Sequence, residues 1–349
     1  MPEDPIDHID FNDLNKRAVS QPMVTNIYTA DPSAHVFNGK IYIYPSHDVE
    51  NDIPFDDLGS HFAMEDYHAI SMDAPRGQAT VNGIALHIKD VPWAEKQMWA
   101  PDAAEKNGKY YLYFPAKDHN GIFRIGVAVS NSPVGPFTPQ PEPIKGSFSI
   151  DPAVFKDDDH HYYMYFGGIW GGQLQRWRTG TFNADGEGPL VHLPNDNEPA
   201  LCAKVARLTD DLLQFAETPK DVIISDENGH PLLQGDNERR FFEASWMHKY
   251  NGKYYFSYST GDTHYVCYAM GDNPYGPFKY AGRILNPVVG WTTHHSIIEW
   301  KGKWYLFYHD SSLSKGITHL RCIKVTELQY DENGFIKTID PYPDLKVQE

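Results

Sequence analysis

The sequence predicts an all-β fold, a five-bladed β-propeller, and three observations predict it. One β-unit recurs five times: an extended lead, a tight turn, then an alternating aromatic strand. Four of the turns are paired residues of hairpin type, Asn38-Gly39, Asn107-Gly108, Asn251-Gly252 and Lys301-Gly302. A type I′ hairpin turn needs positive φ at both central residues, and Asn-Gly supplies it best. The aromatic runs, Tyr110-Tyr111-Leu112-Tyr113-Phe114 and Trp304-Tyr305-Leu306-Phe307-Tyr308 among them, have high β-propensity and are too short for buried helices. Small sheets repeated along a chain at intervals of tens of residues arrange radially.

Taken in order, the first unit runs DPSAHVFNGKIYIY from Asp31 and the second APDAAEKNGKYYLYF from Ala100. The third is DPAVFKDDDHHYYMYF from Asp151, where Asp157-Asp158-Asp159 stands in place of the turn pair; this run and His160-His161 read as a solvated turn. The fourth is EASWMHKYNGKYYFSY from Glu243, and the fifth HHSIIEWKGKWYLFY from His294. Two of the hairpins are followed by matching turns, Asn131-Ser132-Pro133-Val134-Gly135-Pro136-Phe137 and Asp272-Asn273-Pro274-Tyr275-Gly276-Pro277-Phe278, in which Phe anchors the next strand. The longest gap, roughly Gly168 to Arg240, holds inserted loops, and a short helix is expected over Leu201 to Phe215. With no Pro/Ser-rich linker, one propeller domain is expected over 25–349, preceded by an N-terminal extension, 1–24, that packs on it.

Composition narrows the partners. The 349 residues are 41% hydrophobic and 14% aromatic, which suits a large core and excludes disorder. A net charge of −17 repels phosphates and anionic lipid, so neither nucleic acid nor a membrane is an expected partner. Cys202, Cys267 and Cys322 are odd in number and widely spaced, so free thiols are expected rather than a disulfide framework or a zinc cluster. The polar, acidic N-terminus has no apolar run of signal-peptide type, and the chain reads as cytoplasmic. A secreted chain whose signal had been removed would read the same.

The chemistry rests on acids at the leads of three units: Asp31, Asp151 and Glu243. Asp before Pro also starts strands and caps turns. Recurrence in register within a fivefold repeat argues for more, because such leads meet near one axis. Glycoside hydrolysis needs an acid to protonate the leaving oxygen and a carboxylate on the other side of the sugar, about 6.5–9.5 Å away in an inverting enzyme. A third carboxylate beside the acid would raise its pKa by like-charge repulsion. Aromatic rings pack on the apolar face of a pyranose, and Trp170, after the Asp151 strand, is placed to shape a subsite.

These residues resemble glycoside hydrolase family 43, five-bladed propeller enzymes acting on xylan and arabinan. Four motifs carry the likeness: Ala30-Asp31-Pro32, Trp99-Ala100-Pro101-Asp102, Ser149-Ile150-Asp151-Pro152-Ala153 and Phe242-Glu243-Ala244. It runs from about Thr25 to about Leu328. The resemblance implies Asp31 as general base, Glu243 as general acid and Asp151 as the carboxylate that tunes the acid. It implies that Trp99 lines the deepest subsite, and that Arg321 bonds the sugar or a catalytic carboxylate. It also implies calcium, or another divalent cation, near His294-His295, with His294 favoured as ligand. The competing expectation is a neutral histidine bonded to Asp31 or Asp151.

The expected activity is that of an inverting exo-glycosidase releasing xylose from the non-reducing end of short β-1,4-xylo-oligosaccharides. The alternatives are an α-L-arabinofuranosidase acting on arabinoxylan fragments, an endo-arabinanase, and a non-catalytic glycan-binding propeller. Some relatives close the site with a C-terminal β-sandwich. Here loops or a neighbouring subunit of a homo-oligomer would do so.

Overall fold

The computed structural model describes residues 9–343. Five mainly antiparallel sheets follow one another along the chain, and in each the strand that opens the repeated unit lies innermost. The first blade is β1 (Tyr28–Phe37), β2 (Lys40–Asp48), β3 (Asp66–Met72) and β4 (Thr80–His87). The second comprises β5 (Ala94–Lys96), β6 (Asp102–Lys106), β7 (Lys109–Asp118), β8 (Phe123–Ser130) and β9 (Thr138–Pro139). The third holds β10 (Ala153–Lys156), β11 (Tyr162–Phe166), β12 (Lys204–Arg207) and β13 (Lys220–Asp221). In the fourth, β14 (Ile224–Ser225) adds in parallel outside β15 (Glu243–Tyr250), β16 (Lys253–Ser259), β17 (Val266–Gly271) and β18 (Phe278–Leu285). The fifth has β19 (His295–Trp300), β20 (Lys303–Asp310) and β21 (Cys322–Leu328). The inner strands touch in the cyclic order β1, β6, β10, β15, β19 and back to β1, which closes the ring.

The turn pairs adopt the backbone their residues favour. Asn38 and Gly39 have φ of 51° and 74°, Asn107 and Gly108 54° and 75°, and Lys301 and Gly302 50° and 81°. The paired Pro-x-Gly-Pro-Phe segments also share a conformation, each with a cis Gly-Pro bond, Gly135-Pro136 and Gly276-Pro277.

The core is divided among the seams between blades. Period-two alternation sends neighbouring side chains to opposite faces. Tyr110, Leu112 and Phe114 therefore pack against the first blade with Tyr44 and Tyr67, while Tyr111 and Tyr113 pack against the third with Met164 and Phe166. A run of aromatics that looks unbroken in sequence thus feeds two separate seams. Each fully buried ring contributes about 1.5–3 kcal/mol in transfer free energy.

Two expectations are corrected. No helix spans Leu201 to Phe215; Lys204–Arg207 is β12, paired antiparallel with β11. Val205 and Ala206 are buried there, and pairing with β11 outweighs a weak local preference. Nor is the Asp157 turn wholly solvated. Asp157 is buried, and its carboxylate accepts from Tyr254 (2.6 Å) and Lys249 (3.2 Å), while His160 is exposed. Towards the N-terminus, α1 (Phe11–Arg17) is capped by the Asp10 carboxylate and buries Leu14 with Val289 and Tyr342. Residues 20–29 then run beside β21, with Met23 N–H bonded to the Ile323 carbonyl and Thr29 N–H to that of Arg321.

Candidate active site

The leads of the inner strands do not continue the regular pleat. Asp31 sits at a bulge between Ala30 and Ser33 with φ of 50°, and Asp151 precedes β10 with φ of 57°. Glu243 opens β15 at a second bulge, followed by Ala244 with φ of 64°. Bulges and left-handed residues re-aim side chains at the cost of local strain, and they concentrate at functional sites. Here they turn all three carboxyls into one pocket of roughly 650 Å³ at the axis.

Asp31 is the most heavily held of the three. Its carboxylate accepts from Ser46 Oγ (2.6 Å) and Arg321 (3.2 Å), and its backbone N–H donates to His309 Nδ1 (2.9 Å). That bond leaves the His309 proton on Nε2, which donates to the Thr292 carbonyl (3.0 Å). Burial pushes the Asp31 carboxyl up, but Arg321, the neighbouring histidines and the Ser46 hydroxyl outweigh it and hold it at about 2. Arg321 is buried and itself anchored by Asp48 through two bonds of 2.8 and 2.7 Å. Breaking a buried, bidentate pair of this kind costs about 3–5 kcal/mol, so the guanidinium is fixed before any ligand arrives.

The other two acids are pushed the opposite way. Burial, and then the charge of Asp31, raise Glu243 to about 8. Burial and the charges of Glu243 and Asp31 raise Asp151 well above its ordinary range, although Ala244 N–H donates to it (2.9 Å). The lift on Glu243 therefore comes from burial and Asp31. The like charge that lifts Glu243 is thus that of Asp31, with burial the larger cause.

The aromatic residues fall where the pocket needs walls. Trp99 lines it, with its indole N–H bonded to the Phe62 carbonyl (2.8 Å). Trp170 lines it too, with its ring 5.3 Å from Phe242 and 5.7 Å from Trp291. Segment 49–65, between β2 and β3, adds Phe55, Leu58 and His61 to the wall. Gly171 makes that closure possible, since a Cβ there would lie 2.4 Å from the Leu58 carbonyl oxygen.

The two histidines of the fifth lead part company. His294 enters the pocket, its Nδ1 3.4 Å from Asp31 and 3.9 Å from Asp151, and burial holds it neutral by lowering its pKa. His295 does not enter. As the first residue of β19 it faces β16, where its Nε2 pairs with Ser257 Oγ (2.6 Å). Consecutive residues of a strand point to opposite sides, so His295 is withdrawn as a metal ligand.

The family model described as glycosyl hydrolases family 43 matches residues 79–336. The chain belongs to that family. It is therefore a glycoside hydrolase, and its five-bladed propeller is the fold of its structural neighbours. A family 43 β-xylosidase/α-arabinofuranosidase from a compost microbial metagenome, solved with xylotriose in a calcium-free form, is 65% identical. The match covers 94% of this chain and 99% of that one, with a TM-score of 0.91. A family 43 enzyme of Xanthomonas citri complexed with xylotriose is 53% identical over 96% of this chain and 97% of that one, with a TM-score of 0.90. The xylosidase/arabinosidase 43A of Humicola insolens is 62% identical over 92% of this chain and 99% of its own length.

For this family 43 chain, sequence reasoning missed Asp48, Ser46, His309, Trp291 and His61. The first three reach the site only through the hydrogen bonds around Asp31 and Arg321. Trp291 and His61 lie on irregular segments, and no repeat or periodicity marks them.

Proposed function

We propose that the chain is an inverting, exo-acting β-xylosidase that releases xylose from the non-reducing end of short β-1,4-xylo-oligosaccharides, with α-L-arabinofuranosidase activity in the same pocket. One observation carries this reading: one walled pocket sets Asp31, its carboxyl held at about 2, beside Glu243 and Asp151, whose carboxyls burial pushes up. A propeller that only bound glycans would have no use for that split. The names of the relatives above support the choice of pentose.

In this mechanism Asp31 takes a proton from water, and the water oxygen attacks the anomeric carbon as the glycosidic C–O bond breaks. Glu243 gives its proton to the leaving oxygen. Asp151, fixed by Ala244 N–H, holds its place beside the acid. Arg321 keeps Asp31 ionised and oriented.

The residues also suit a divalent cation. A neutral His294 offers a lone pair, and Asp31 and Asp151 lie 3.4 and 3.9 Å from its Nδ1. His294 would hold the ion, with water completing an oxygen-rich shell of the kind calcium prefers. The ion would supply positive charge near the carboxylates.

The direct test measures initial rates on 4-nitrophenyl β-D-xylopyranoside and 4-nitrophenyl α-L-arabinofuranoside, before and after exhaustive chelation. Release from both, faster with the xyloside, is expected. A loss on chelation that calcium restores would support the ion, and an unchanged rate would remove it. No release from either substrate would overturn the exo reading.

The pH profile follows from the two key carboxyls. Asp31, at about 2, stays ionised through the working range, whereas Glu243, at about 8, must keep its proton. The value of kcat/KM is expected to stay level through mildly acidic and neutral pH and to fall as Glu243 deprotonates above neutrality. A profile that falls below pH of about 6 instead would contradict the low setting of Asp31.

A further inference from the structure

A second cluster of metal-ligating side chains lies in the first blade, among residues that do not line the catalytic pocket. His47 is the penultimate residue of β2, Asp66 opens β3, and His68 follows two positions on. Carrying the β2–β3 register outward by four residues from Ile43 opposite Ile70 sets His47 opposite Asp66 (43 + 4 and 70 − 4). His47 Nδ1 lies 2.5 Å from Asp66 Oδ1, and His68 Nε2 3.8 Å from the same oxygen. The two imidazole rings meet edge to face with centroids 4.5 Å apart. One ligand atom from each of the three residues falls within 4.8 Å of the others, and among the described residues this is the one such grouping.

Burial suits an ion. The three side chains are 19%, 14% and 15% exposed, sheltered yet open to an entering cation. The His68 Nδ1 is buried without a hydrogen-bond partner, and its Nε2, 3.8 Å from Asp66, is too far to bond it directly, which leaves room for an ion between them.

We propose that His47, Asp66 and His68 bind a zinc-class divalent cation that fastens the two ends of segment 49–65. Two imidazoles and one carboxylate suit zinc and its late first-row neighbours, whereas calcium asks for oxygen. The position gives the ion a role. Segment 49–65 leaves β2 just after His47 and enters β3 at Asp66, and it carries Phe55, Leu58 and His61 of the pocket wall. Asp48, next to His47, is the anchor of Arg321. An ion joining β2 to β3 at this point holds the base of the wall and the guanidinium's anchor together.

The experiment titrates zinc into the metal-stripped full chain by calorimetry and follows hydrogen exchange across 49–65. The wild type and His294→Ala are each expected to bind one zinc at this cluster and to show slowed exchange of the segment. His47→Gln and His68→Gln are expected to lose that zinc, or to bind it more than about tenfold more weakly, and to show no slowing. The two substitutions sit on different strands, so misfolding of one, read by near-ultraviolet circular dichroism, leaves the other informative. Absence of saturable zinc binding in the wild type, or binding unchanged in both glutamine variants, would overturn the site. Zinc bound without slowed exchange would overturn the fastening role.

Discussion

Glu243→Gln is expected to slow hydrolysis of xylobiose by about 10²–10⁴-fold, the usual worth of a positioned general acid. Hydrolysis of 4-nitrophenyl β-D-xylopyranoside is expected to fall far less. Glutamine keeps the shape of the side chain but has no proton to give. A xylose hydroxyl is a poor leaving group and needs that proton as the C–O bond breaks, whereas 4-nitrophenolate departs without it. Glu243 opens β15 at a bulge beside Ala244, whose φ of 64° is a backbone feature that Gln does not disturb. The substitution also removes the group whose raised pKa sets the alkaline limb, so the fall above neutrality is expected to vanish with the aryl substrate. Parallel kcat/KM measurements on the two substrates across pH check both points. Equal losses on both, with the alkaline limb retained, would sink the assignment of Glu243 as the acid.

The radial fold was legible because its units are local. An Asn-Gly pair and the alternating strand after it are read within a dozen residues, and the backbone at Asn38-Gly39 and Asn107-Gly108 follows from those residues alone. The three acids were legible for the same reason, being in register with the repeat. What was not legible depends on residues far apart in the chain. Asp48 and Arg321 are 273 positions apart, and nothing local to either marks the pair. The segment at Lys204–Arg207 is too short to declare itself, and its partner β11 decides that it is a strand. His294 and His295 are adjacent and chemically alike. Only the phase of β19 separates the one that faces the acids from the one that faces Ser257. The split among the carboxyl pKa values is likewise a property of the assembled site, since burial acts most strongly on each acid, and Arg321 reaches Asp31 across the ring.

Removal of the Asp31 carboxylate is expected to abolish hydrolysis, with a loss of about 10²–10⁴-fold or more, and azide is expected to restore turnover of an activated xyloside. The backbone decides which substitution reports this best. Asp31 has φ of 50°, a left-handed conformation that Asp tolerates, that costs alanine roughly 1–2 kcal/mol, and that glycine adopts freely. Asp31→Gly therefore keeps the bulge, and with it the N–H bond to His309, while opening space for a small anion. Arg321 retains both bonds to Asp48, so its charge is not left unpaired. In this variant azide needs no general base. Its terminal nitrogen bonds to the anomeric carbon from the face opposite the leaving group, the glycosidic C–O bond breaks, and 4-nitrophenolate carries away the electron pair. An inverting site turns the β-xyloside into α-xylosyl azide, which NMR of the product identifies. The β-azide would point to a covalent intermediate and a retaining mechanism. A folded Asp31→Gly variant that gives no azide product and no recovered rate would remove Asp31 from the role of base. Azide is expected to rescue Asp31→Ala only in part and Asp31→Gly more fully, the order set by the backbone geometry.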